Sequence, residues 1–369
     1  LDFGVRCSML DVRCFSNKGR RDRCQVTSDR RRGRQVPCPL SSSPSSSSSL
    51  TPCGAGQAPE TYAKAEVPAE TMKKRTLRIA ACAPATYGFV PPEAVKATER
   101  MIKGFETDPR RIGEHVERML DHHIRLLRRA GRRKPDVAMI PEDCLRLGAL
   151  ISRHRRERFC ANAVGEAYGR YLQRIGDACR RYRMYVVGGT MTCRKGRFYN
   201  TAVMQDPAGK VIAMYDKTHL PRNGEHRSFT PGADLPVFDT PVGRVGFLIC
   251  WDIIFPEAFA VLALKGAEIV FQPTFGHWEE WSDVTARSRC HDWSVPMAVS
   301  MWGGCACIID HEGKVAAHTG RVPDSLAVAS VAIGAPRRFI YLKDARRDKL
   351  PERRPELYGV LTRRPGRHG

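Results

Sequence analysis

Three short apolar runs, far apart in the chain, each end on a chemically reactive side chain. Val137-Ala138-Met139-Ile140-Pro141 leads into Glu142. Val211-Ile212-Ala213-Met214-Tyr215-Asp216 leads into Lys217, and Val245-Gly246-Phe247-Leu248-Ile249 leads into Cys250. Short apolar runs bounded by turn residues read as buried strands. Folds that mix strands and helices gather their strand ends at a cleft, on a rigid scaffold open to solvent. The chain is therefore expected to bring a carboxylate, an ammonium and a thiol together.

The rest of the pattern agrees with such a fold. Strand-like runs recur at Met184–Gly188, Tyr199–Gln205, Ile269–Gln272, Met297–Met301, Ala306–Ile309 and Leu326–Val331. Helical periodicity occupies Glu114–Ala130, Cys160–Arg181, Phe255–Lys265 and Asp283–Trp293. In the first helix Val116, Met119, Leu120, His123, Leu126 and Leu127 share one face. Strands alternating with helices, then pairs of strands, predict an α/β architecture with a mixed sheet. Two turns match, Asp206-Pro207-Ala208-Gly209 and Asp310-His311-Glu312-Gly313, and each is followed by Lys-Val. Their likeness suggests two halves built alike, or the chance recurrence of a common turn.

The trio is chemically coherent. An ordinary thiol has a pKa near 8.5, so at neutral pH it needs a base or a nearby cation. Glu142 would accept its proton, and Lys217 would favour developing negative charge. Pro256 suits the first turn of a helix that follows Cys250. Backbone N–H groups there would suit an oxyanion.

Together Pro141-Glu142, Tyr215-Asp216-Lys217-Thr218-His219-Leu220 and Cys250-Trp251-Asp252 with Phe255-Pro256-Glu257 resemble the nitrilase superfamily of carbon–nitrogen hydrolases. Tyr199-Asn200-Thr201-Ala202-Val203 resembles its central hairpin, and Phe229-Thr230-Pro231-Gly232 the turn after the lysine loop. The resemblance covers roughly residues 76–335 in the family's order. It implies a four-layer α-β-β-α sandwich with two mixed β-sheets in a single domain. It implies Cys250 as nucleophile, Glu142 as general base and Lys217 as stabiliser of the tetrahedral intermediate. Glu225 matches a second glutamate that positions the lysine or substrate.

The implied reaction is hydrolysis of a linear amide or N-carbamoyl compound through a thioester, with neither metal nor cofactor. Trp251, Thr274 and Trp278 are the candidate substrate-binding residues, with Trp278 and Trp281 open equally to packing or interface roles. Cys-Trp-Asp favours the amidase-like branch. Nitrile hydrolysis by the same trio is the alternative within the family. The chain also departs from the family pattern. Ala83-Pro84-Ala85 stands where a Gln is usual, and Trp293 where an Asn is usual, which bears on substrate more than on chemistry.

The formal net charge of +22 raises a different reading, a non-catalytic nucleic-acid-binding protein. The charge is diffuse and lacks a zinc-finger or RNP-like motif. A solvated basic surface is the simpler expectation, with no specific nucleic acid and no membrane as partners. Residues 1–71, with Arg30, Arg31, Arg32, Arg34 and a serine run, read as a disordered low-complexity tail. Met72, just before the first strand, suggests a natural start near that residue. Residues 72–335 would form the hydrolase domain, and 336–369 a basic extension at the interface of a homodimer or higher homo-oligomer.

The chain has 14 cysteines, no C-x-x-C pair and no secretory hydrophobic region, so free thiols in the cytoplasm are expected. Cys305, Cys307 and His311 lack metal-ligand spacing and read as structural. His115, His122 and His123 lie on or near one helical face, where packing or solvation is the default reading. Glu257 reads as a helix-start charge.

Overall fold

The computed structural model describes residues 75–85, 109–222, 224–276, 280–338 and 340–363. The tail 1–71 and Trp278 lie outside these described residues. The elements run β1 (Arg75–Ala83), α1 (Pro109–Gly131), β2 (Val137–Met139), α2 (Gly148–His154), α3 (Arg158–Tyr182), β3 (Tyr185–Arg194), β4 (Arg197–Gln205) and β5 (Val211–Asp216). The chain continues with β6 (Val237–Thr240), β7 (Gly243–Phe247), α4 (Pro256–Leu264), β8 (Ile269–Thr274), α5 (Glu280–Trp293), β9 (Met297–Met301), β10 (Ala306–Ile309), β11 (Val315–His318) and β12 (Ser325–Ile333).

Two six-stranded mixed sheets result, in the orders β12-β1-β2-β3-β4-β5 and β11-β10-β9-β8-β7-β6. Period-two alternation explains how each strand serves two layers. Leu77, Ile79 and Ala81 of β1 face the second sheet, among Phe247, Ile269, Phe271 and Ala298. Ala80 and Cys82 of the same strand turn outward to α1 and α3, among Leu120, Leu127 and Ile175. On the far side Val270, Val299 and Ile309 pack under α4 and α5. These apolar layers make an α-β-β-α sandwich, as the resemblance implied.

The two sheets are built to one plan. In the first, parallel β1, β2 and β3 lead into the antiparallel β3-β4-β5 meander. In the second, parallel β7, β8 and β9 lead into the β9-β10-β11 meander. The matching turns occupy equivalent places, β4 to β5 and β10 to β11. Asp206 Oδ1 accepts from the N–H groups of Ala208 and Lys210, both at 2.9 Å. Asp310 Oδ1 accepts from those of Glu312 (2.8 Å) and Lys314 (2.9 Å). Gly209 and Gly313 both need positive φ, +77° and +78°. Both meanders shift register just before the turn, at Met204/Gln205 and Ile308/Ile309. The recurrence is structural, not chance.

The sequence pattern does not reveal β6, α2 or the four-residue helix Ala345–Asp348. Each is short, and β6 is an edge strand that pairs only with β7 in a tight hairpin. Among the described residues no helix is long and apolar enough to cross a membrane.

Candidate active site

Glu142 follows β2, where Pro141 ends the strand. Its loop lies flat against β3: Gly189 N donates to Pro141 O at 3.0 Å, and Cys144 N to Gly189 O at 2.9 Å. A Cβ on Gly189 would stand 2.5 Å from the Glu142 Cα, so the approach requires glycine. Lys217 follows β5 directly. Its backbone is fixed on both sides, Lys217 N to Asn200 O and Gly232 N to Lys217 O, each at 2.9 Å. Cys250 stands three residues after the end of β7 and begins a short 3₁₀ helix, Cys250–Ile254. Its φ of +45° lies in the left-handed region, a strained setting for a residue with a Cβ. The surrounding fold holds that strain.

The structure brings Glu142, Lys217 and Glu225 into direct contact. Lys217 Nζ lies 3.0 Å from Glu142 Oε1 and 2.8 Å from Glu225 Oε2. Asn200 Nδ2 donates to the same Glu142 Oε1 at 2.6 Å. Glu142 and Lys217 are 2% and 1% exposed, so these charges interact with little screening by water. Among the described residues Glu142 Oε2 has no hydrogen-bond partner.

Burial alone would lower the ammonium's affinity for its proton. The negative charges of Glu142, Cys250 and Glu225 outweigh it and hold the Lys217 pKa above its ordinary value. Lys217 therefore remains a cation across the physiological range. Glu225 moves the other way for a carboxylate. Burial first, then the Glu142 charge, push it up to about 7 against the pull of Lys217.

Cys250 is close enough to feel the same group of charges. Burial and the Glu142 carboxylate push its thiol up to about 12, against the opposing effects of Lys217 and the Phe275 N–H. Burial and the Glu142 charge thus favour the neutral thiol over a preformed thiolate. Attack on an electrophile requires removal of its proton in the same step, which the adjacent carboxylate can accept.

Asp252 ties the lysine loop to the cysteine turn. It is fully buried and accepts from Tyr215 Oη (2.8 Å), the Ile249 N–H (2.8 Å), the His219 N–H (2.9 Å) and Thr218 Oγ1 (3.2 Å). The His219 ring stacks on Phe255 with centroids 4.1 Å apart. In the sequence Asp252 and Asn200 stand out only as members of longer motifs. A lone amide or carboxylate in an otherwise apolar buried run is the signal that marks such residues.

Of the candidate substrate contacts, Trp251 is 41% exposed beside Cys250. Thr274 is buried at the end of β8, where Gln272 Nε2 approaches its Oγ1 at 3.4 Å. Among the described residues no group of three or more His, Cys, Asp or Glu side chains is arranged to hold a metal ion. His115, His122 and His123 are buried, with Nε2 of each at an acceptor: Leu145 O, Asp324 Oδ1 and Cys144 O.

Residues 111–341 match the family model described as carbon-nitrogen hydrolase. Citrullinase of Francisella tularensis is 31% identical over 192 residues, covering 45% of this chain and 66% of that protein. Human deaminated glutathione amidase is 34% identical over 195 residues, covering 45% and 56%. The match thus spans less than two thirds of either relative. A carbon-nitrogen hydrolase from Helicobacter pylori G27 superposes with a TM-score of 0.60 at 18% identity, over 78% of this chain and 99% of that one. An amidase from a Nesterenkonia species superposes with a TM-score of 0.57 at 21% identity, over 76% and 96%. At these identities the structural likeness speaks for the fold. Motif order, sandwich architecture and family match agree, and the chain belongs to the carbon-nitrogen hydrolase family of the nitrilase superfamily.

Proposed function

We propose that the chain hydrolyses linear amides or N-carbamoyl compounds through a thioester on Cys250. The observation that carries this reading is the buried Lys217 ammonium, held between Glu142 and Glu225. Cys250 Sγ attacks the carbonyl carbon as Glu142 takes the thiol proton. Negative charge develops on the substrate oxygen near Lys217, whose fixed positive charge stabilises it more than the neutral ground state. Glu142 then delivers the proton to nitrogen, the C–N bond breaks, and ammonia or an amine leaves. Water attacks the thioester while Glu142 accepts its proton. The second collapse breaks the C–S bond and returns the proton to sulfur. Glu225 positions Lys217, while Trp251, Thr274 and Trp278 contribute to the substrate site.

Ammonia release across a panel of small amides and N-carbamoyl compounds tests the proposal. At least one should be turned over, with an acyl adduct on Cys250 trapped by acid quench and located by mass spectrometry. Failure of every compound to release ammonia or acylate Cys250 would remove the hydrolase reading.

We also propose a cytoplasmic homodimer or higher homo-oligomer, without a specific nucleic-acid or membrane partner. Nine described cysteines are free, which supports a reducing compartment. Ile340, Tyr341, Val360 and Leu361 are exposed in the C-terminal segment, which supports burial against a second copy. Light scattering should return at least twice the chain mass. A monomer at micromolar concentration would rule the assembly out.

A further inference from the structure

The loop that carries Glu142 is conformationally costly. Asp143 (φ +45°) and Arg146 (φ +59°) both adopt left-handed backbone, which side-chain-bearing residues avoid. Such a loop keeps one shape only when its surroundings over-determine it. One side is fixed by β3 through Gly189, and Asp143 caps the loop's end by accepting from the N–H groups of Leu147 (2.8 Å) and Gly148 (3.0 Å).

Three side-chain donors take up the loop's carbonyl groups. Trp302 Nε1 donates to Glu142 O at 2.7 Å. His123 Nε2 donates to Cys144 O at 2.9 Å, and His115 Nε2 to Leu145 O at 3.0 Å. All three side chains are nearly or fully buried. The histidines come from α1 in the outer layer, whereas Trp302 follows β9 of the opposite sheet. The donors also brace one another. The His123 ring meets the Trp302 ring edge-on with centroids 5.2 Å apart. Arg146 lies over Trp302 at 5.4 Å and over Phe275 at 4.4 Å, and the Phe275 N–H faces the Cys250 sulfur.

We propose that Trp302, His123 and His115 are positioning residues for Glu142, clamping its loop so that the carboxylate stays registered against Lys217 and Cys250. The clamp rests on the reading of Glu142 as the base. Carbonyl acceptors require each histidine to carry its proton on Nε2. Burial depresses both rings, His123 to about 3 and His115 to about 4, which keeps them neutral at working pH. Without the clamp, the loop can relax toward ordinary backbone and withdraw the carboxylate, whereas Trp251 and Thr274, the proposed substrate contacts, belong to other segments.

Trp302→Phe deletes one N–H with a modest loss of ring volume. His123→Ala removes a second donor, and His123→Gln supplies an amide donor in its place. Steady-state kinetics on a turned-over amide and segment-resolved hydrogen exchange of residues 141–148 are the readouts. Trp302→Phe and His123→Ala should each lower kcat about a hundredfold, with KM changed less than about threefold. Amides of 141–148 should exchange about tenfold faster than in the wild type, ahead of the rest of the sheet. His123→Gln should restore most of the lost kcat and the slow exchange.

Wild-type kcat in folded Trp302→Phe overturns the clamp. So does a loss of rate that accompanies global destabilisation without a local change in exchange. If His123→Ala does not fold, Trp302→Phe decides alone. If the wild type turns over no amide, the hydrolase reading fails on its own account. Exchange of 141–148 then still decides: unchanged exchange in Trp302→Phe overturns the clamp, and faster exchange upholds it.

Discussion

Lys217→Met should lose both activity and stability, and the stability loss should depend on pH. The ammonium is 1% exposed and separates two carboxylates, Glu142 at 3.0 Å and Glu225 at 2.8 Å. Methionine fills much of the same volume without the charge. Turnover should fall by about three orders of magnitude, the scale seen when one oxyanion-stabilising group is removed from a preorganised site. Stability at pH 8 should fall by about 3–5 kcal/mol, because removing one partner leaves buried charge uncompensated.

Two carboxylates left facing each other in Lys217→Met gain proton affinity and titrate above their unfolded values. The folded variant then binds more protons than the unfolded chain as pH falls. Its deficit relative to wild type should therefore be full at pH 8 and shrink toward pH 5. Urea denaturation of both proteins at the two pH values measures it. A deficit independent of pH would mean that lost packing, not uncompensated charge, dominates.

Glu142, Lys217 and Cys250 could be singled out in the sequence because each ends an apolar run, in the order of the family's motifs. The repeated Asp-x-x-Gly turns raised the idea of halves built alike beside that of chance, and the matching sheets decided it. Other features were not local. Asp252 gathers donors from Tyr215, Thr218 and His219, more than thirty positions upstream. The partners of His115 and His123 are backbone oxygens of Leu145 and Cys144, and a carbonyl oxygen carries no mark in the sequence. Helical spacing put His123 among apolar residues on one face, but it left packing and solvation equally open for both rings. Only the fold could show that the buried rings meet the loop of the reactive carboxylate. In β6 (Val237–Thr240) the four residues are too few for period-two alternation to stand out.

Glu142→Gln should move two measurements of the same site in opposite directions. Glutamine keeps the side chain's length and one oxygen for Asn200 and Lys217, but it removes the negative charge and the base. That charge is, after burial, the next cause holding the Cys250 thiol at about 12. Its removal lets Lys217 and the Phe275 N–H pull the thiol's pKa down, so the thiolate fraction at pH 8 rises by about tenfold for each unit of the fall. Modification by methyl methanethiosulfonate consumes thiolate and needs no proton delivered to its sulfinate leaving group. It should run faster in Glu142→Gln than in the wild type. Amide turnover needs a group that takes the thiol's proton, gives it to nitrogen and later deprotonates water. It should fall by about two to four orders of magnitude in the same variant. Slower modification together with slower turnover would show that Glu142 maintains a thiolate in the resting enzyme. Turnover within about tenfold of wild type would show that Glu142 is not the base.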